Sequence, residues 1–257
     1  MNPSPMVAIS NTMVLSGRML KHNIRSVDTI MTVVAMPLMI MLAFVFVLGG
    51  AMQTGPMRYV DYVVPVVLLF CIASGVSYTA FRVNQDVTTG MFDRFRTMPI
   101  ARSAMVGGHI VASVVSNAAS VVIILAFALL FGYRPHAGVV GWLVMVALLL
   151  ATLVSFTVMG AAFGLLAKTN EGAGMFSYLV MGLLFVSSGF APTSSMKAGL
   201  RAFADHQPMT PIINAMRGAQ FGQIDAGTTW LAFGWLAAMV IVFAVLAALA
   251  GGCGKKR

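Results

Sequence analysis

Long uncharged runs separated by short polar breaks set the pattern of this chain. The runs 29–49, 63–80, 104–131, 138–167, 173–190 and 230–250 match the ~20 residues that a helix needs to cross a bilayer core. They predict a single all-α membrane domain, 1–257, with six transmembrane helices. Pro37 in the first run is tolerable, because a neighbouring helix can satisfy the carbonyl it frees; the second run carries Pro65 and Gly75. Ahead of the first run, Met13, Leu20, Ile24 and Val27 recur at helical spacing opposite Arg18, Lys21, His22 and Arg25. That predicts an amphipathic helix in the headgroup plane, and the polar residues interrupt any signal-peptide core.

The longest segment that does not read as a span is 192–228. Such a length without structure is unusual, so short helices are expected in it. Met196, Leu200 and Phe203 share one face, and Thr210 and Pro211 have the form of an N-cap and first helical residue ahead of Ile212, Ile213, Met216 and Ala219. Gly222 is placed to end that second helix, giving an outer hairpin, re-entrant or interfacial. Asp61 and Tyr62 read as an interface, and Tyr133 and Trp142 as interfacial anchors.

Composition agrees: 59% of the 257 residues are hydrophobic and 9% charged, with mean hydropathy +0.91. The net charge of +9 resembles that of a nucleic-acid binder, but the basic residues punctuate apolar runs instead of forming a patch with aromatics. They orient the chain in the membrane. With six spans, eleven Lys and Arg fall on the side of the termini and five on the other, which assigns the termini and the 82–102 stretch to the cytoplasm of a plasma-membrane protein.

Little here reads as catalysis. His22, His109, His136 and His206 are scattered and Glu171 stands alone; Cys71 and Cys253 have neither disulfide nor metal-ligand spacing. The tail GGCGKKR lacks the hydroxyl residue and the preceding strand of a phosphate-binding loop, so no nucleotide or metal site of the chain's own is expected. Ser113, Ser116 and Asn117 in the third run are candidates for lining a pathway, or for bonding to a neighbouring helix. His109 is an intramembrane ionisable group and hence a functional candidate. Gly160 and Gly164 form a small-xxx-small pair suited to close helix packing.

The polar stretch 82–102, RVNQDVTTGMFDRFRTMPIAR, concentrates Arg82, Arg94, Arg96 and Arg102 with Asp86 and Asp93 between two apolar runs. Met91, Phe92 and Phe95 suit a pocket on a partner, with Asp93, Arg94 and Arg96 as oriented charged contacts around it. The segment from Thr89 to Ser103 resembles the signature of ATP-binding-cassette exporter permeases of the second type, daunorubicin-resistance subgroup: a glycine, then an acid with two basic residues, then proline. Ser187 to Pro192 and Pro208 to Pro211 add to the likeness, which covers nearly the whole chain. The family often carries glutamate just before the position of Asp86, where Gln85 stands here.

The resemblance implies a permease without ATPase activity, driven by separate subunits that bind Mg-ATP. A cytoplasmic coupling helix within 82–102 would dock on them through Arg82, Asp86, Met91, Phe92, Asp93, Arg94, Phe95, Arg96 and Arg102. It also implies a second permease copy or a similar permease, contact with membrane lipids, and a hydrophobic or amphipathic cargo, drug or lipid. A secondary transporter would ordinarily show intramembrane charges or broken helices in inverted halves; a passive scaffold is the other alternative.

Overall fold

The computed structural model describes residues 31–50, 57–89 and 102–253, and among them every regular element is helical. Helix α1 (Met36–Leu42) is continued on both sides by π turns, Met31–Ala35 and Ala43–Leu48. Then come α2 (Tyr59–Thr88), α3 (Arg102–Leu130), α4 (Val139–Leu166) and α5 (Asn170–Phe185). A 3-10 turn, Thr193–Ser195, leads to α6 (Ala198–His206), α7 (Met209–Gln220) and α8 (Ala226–Cys253). The expected amphipathic entry helix lies outside the described residues.

Among the described residues, four helices are long and apolar enough to cross a membrane: Tyr59–Thr88, Gly107–Leu130, Val139–Leu166 and Ala226–Leu249. The run Val33–Leu48 is shorter. So is α5, whose 16 residues rise about 24 Å against a core of about 30 Å. The fifth apolar run therefore divides. Ser187 ends the helix by bonding the Leu184 carbonyl and accepting from the Gly189 N–H, and 186–190 turns toward Pro192.

The hub is α2. Its most apolar window is 89% buried, against 11% for α8, and it packs on α1, α3, α4, α5 and α7 while α8 leans on α4 and α7. It outruns the apolar stretch 63–80 at both ends, because Asp61, Asn84 and Asp86 find partners within the bundle. Buried polar groups stay helical where such partners exist.

Each proline inside a helix leaves a carbonyl four residues back without its amide donor. For Pro37 that carbonyl is Val33, which accepts from Cys71 Sγ of α2 at 3.3 Å. For Pro65 it is Asp61, which accepts from Gln220 Nε2 of α7 at 2.6 Å. Neighbours thus supply what the prolines remove.

The 192–228 segment forms two short helices, as its pattern suggests. α6 is largely exposed, including Leu200 and Phe203, whereas α7 is buried along nearly its whole length against α2, α4 and α8. Gly222 follows α7 at φ +69°, a conformation that side chains with a Cβ rarely adopt. Thr210 is not the cap. The helix begins at Met209, and Thr210 Oγ1 instead accepts from Ser188 N at 3.3 Å.

Candidate functional site

Polar side chains gather at the two ends of α2 and in one layer between them. At the end leading into the 82–102 stretch, Asp86 Oδ2 meets His109 Nε2 of α3 at 2.8 Å, with His109 buried and Asp86 partly so. This ties together the two helices that flank residues 90–101. One turn below Asp86, the Arg82 guanidinium lies over the Tyr78 ring at 4.8 Å. Asn84 turns the other way and donates to the Gly164 and Ala167 carbonyls at 3.0 and 2.6 Å. Those carbonyls end α4 and have no amide of their own helix to accept from.

Met91, Phe92, Asp93, Arg94, Phe95 and Arg96 lie outside the described residues. Arg102 opens α3, its side chain also outside the description. Of the candidate docking residues, only Arg82 and Asp86 are therefore placed, at the last turns of α2.

The middle layer holds Thr79, whose hydroxyl donates to Ser113 Oγ at 2.8 Å, and Asn117, which donates to the Ser113 carbonyl at 2.9 Å. Asn117 lies against Gly75, where a Cβ would overlap its amide. Ser113 and Asn117 are buried between α2 and α3, the geometry of a helix contact, and Ser116 is half-buried. Gly160 and Gly164 of α4 face Val76, Ala80 and Val83 of α2; a Cβ on either would lie 2.4–2.5 Å from the nearest atom.

The opposite end is the more elaborate. Asp61 is buried within the bundle. Its carboxylate accepts from Arg58 Nε and from the Arg134 N–H, both at 3.0 Å, and Arg58 Nη2 also donates to the Gly132 carbonyl. Tyr133 is likewise fully buried and no surface anchor: its hydroxyl donates to Gln220 Oε1 at 2.9 Å. Burial, and secondarily the Asp61 charge, hold its phenol above the usual range. Trp142 is 37% exposed.

Arg217 of α7 is 8% exposed. Its guanidinium sits 3.7 Å over the Tyr62 ring and donates to the Tyr62 carbonyl at 3.2 Å, the Ser188 carbonyl at 3.0 Å and Asn214 Oδ1 at 3.0 Å. No carboxylate is among these partners. Tyr62 also donates to the Ser188 carbonyl at 2.7 Å and Tyr59 to the Phe190 carbonyl at 3.0 Å, so the turn after α5 is held to the first turn of α2. Hydropathy gave no sign of this network, because its members are scattered from Arg58 to Gln220 and meet only through the fold.

Among the described residues no group of His, Cys, Asp and Glu is arranged to hold a metal ion. What the geometry offers is a set of grips: two on α2 beside the polar stretch and a larger one where the hairpin helix seats. A chain built this way, apolar along its helices and polar at their ends and contacts, is a helical membrane protein. Residues 51–249 match the family described as ABC-2 family transporter protein, and the chain belongs to that family. Its members work with ATPase subunits. The chain is 30% identical over 217 residues to the daunorubicin resistance ABC transporter permease protein DrrB1 of Streptomyces coeruleorubidus, covering 83% of this chain and 76% of that one. It is 21% identical over 241 residues to the probable doxorubicin resistance ABC transporter permease protein DrrC of Mycobacterium tuberculosis, covering 92% and 86%.

Proposed function

We propose that this chain is the permease of an ATP-driven exporter of amphipathic, drug-like molecules, built from six spans with α1 and α5 completing the four long helices. The observation that carries the reading is its similarity, over 83% of its length, to a permease named for daunorubicin resistance. The ATPase docks at the 82–102 stretch, with Met91, Phe92 and Phe95 in its pocket and Asp93, Arg94, Arg96 and Arg102 around them. Asp86 and Arg82, on the last turns of α2, carry the displacement into the bundle, and the Asp86–His109 pair shares it with α3.

By this reading the docking stretch and both termini face the cytoplasm and the hairpin faces outward, as the excess of basic residues favours. Two permeases enclose the pathway. Membrane lipids are the alternative cargo, and vesicle assays separate the two.

The test is reconstitution with the ATPase in vesicles and measurement of nucleotide-dependent uptake of a fluorescent anthracycline and of a labelled phospholipid. Uptake of the drug only with ATPase and ATP present is the expected result. The R94A/R96A chain should insert normally yet lose ATPase on co-purification, together with transport. Full co-purification and transport by that variant would overturn the docking assignment.

A further inference from the structure

Arg217 and Gln220 both reach from α7 to the backbone of the first turn of α2. Gln220 Nε2 donates to the Asp61 carbonyl at 2.6 Å, the one whose helical donor Pro65 lacks. Arg217 Nη2 donates to the neighbouring Tyr62 carbonyl at 3.2 Å, with its guanidinium stacked 3.7 Å over the Tyr62 ring. Both side chains are buried, and the backbone carbonyl of Gln220 is itself tied to the His136 N–H at 2.9 Å.

Contacts between side chains slip when helices rotate, whereas a bond to main-chain carbonyls follows the helix axis itself. The Asp61 carbonyl is available because of Pro65, and losing Gln220 would leave it buried and unsatisfied. The other end of the same helix carries Asp86 and leads into residues 90–101. α2 is 30 residues long, about 45 Å at helical rise, so it reaches from one end of the bundle to the other.

We infer that Arg217 and Gln220 are positioning residues that fasten α7 to the proline-freed start of α2, so that α7 moves with α2 as one body when the opposite end of that helix is displaced. The hairpin helix then acts as the far end of a lever, and Pro65 is the residue that makes the attachment available. This rests on the exporter reading for its functional consequence. The fastening itself does not.

Two variants attack one contact from opposite sides. Q220A removes the donor, and P65A supplies a backbone N–H that recaptures the Asp61 carbonyl within α2. P65A removes a helix-breaking residue and so guards against misfolding as the explanation. In detergent-purified chain, hydrogen exchange across Met209–Gln220 should rise about fivefold in each, and not in the exposed α6 control R201A. In vesicles with the ATPase, drug moved per ATP hydrolysed should fall by a similar factor while ATPase co-purification is unchanged. P65A/Q220A should be no worse than the poorer single variant, because both act through the same bond. Unchanged exchange in α7 overturns the fastening. Raised exchange with undiminished drug per ATP, or losses that add in the double variant, overturns the lever. Were the unsubstituted complex to move no drug at all, the exporter reading would fail while the exchange measurement still decided the attachment.

Discussion

Gly164 is a position where the bundle leaves no room for a Cβ, and replacing it with alanine gives a sharp test of how α2 and α4 are held together. A Cβ there would stand 2.5 Å from the Ala80 carbonyl oxygen and 2.9 Å from Val83 Cβ. Ordinary contact is about 3.5 Å, so one helix must retreat by roughly 1 Å. Neither obstacle is the loose end of a long side chain. Overpacking of this kind costs about 1–3 kcal/mol. Retreat also stretches the two bonds from Asn84 to the Gly164 and Ala167 carbonyls, each worth ~1 kcal/mol. Against this, alanine gains about 1 kcal/mol of helix propensity over glycine. The net loss is on the order of 0–4 kcal/mol, depending on how far the two bonds are stretched. Gly182 of α5 provides the control, since a Cβ there meets nothing within 4 Å, and G182A keeps the propensity gain without the clash. Reversible unfolding by SDS in mixed micelles compares the two. Equal stability of G164A and G182A would refute the close-packing argument.

Further outcomes follow from the other contacts. N84L should destabilise by about 1–3 kcal/mol, because it strands one buried and one part-buried carbonyl at the end of α4; the same micelle titration reads it. D86N should reduce drug moved per ATP without loss of folded chain, and H109Q should act likewise, with the double variant no worse than either if the 2.8 Å pair is their shared route. Asp225 is held below the usual carboxylate range first by a hydrogen bond from the Thr228 side chain and then by the Thr228 N–H, which donates to it at 2.7 Å ahead of α8. A depressed pKa means the cap is fully present above the unfolded value of ~3.9 and is lost as pH falls through the lower folded value. Exchange of the first amides of α8 should rise in that acid window, and D225N should remove its pH dependence.

Four long helices were legible in the sequence because apolar runs of bilayer length leave few alternatives, whereas the first and fifth runs form shorter helices. The two short helices of 192–228 were legible because the composition changes at Pro192 and again near Thr228. What faces what was not. Lipid and protein interior are equally apolar, so hydropathy cannot tell the nearly enclosed α2 from the nearly bare α8. For the same reason Asp61 and Tyr133 read as surface markers and are buried bonding centres. Thr210 has the composition of a cap but a partner, Ser188, from a distant turn. Pro65 was the one available clue to the far-end attachment, since a missing amide implies a donor from elsewhere; the sequence alone does not say that the donor is Gln220.

The gradient of enclosure from α2 to α8 bears on how the surrounding bilayer is felt. Trp230, Leu231, Ile241 and Val245 of α8 are all strongly exposed, while the central rod is enclosed by the helices around it. In a bilayer, a change of thickness or fluidity would therefore reach that rod second-hand, through the helices packed on it, and drugs that swell the lipid phase should perturb the outer staves before they disturb the axle.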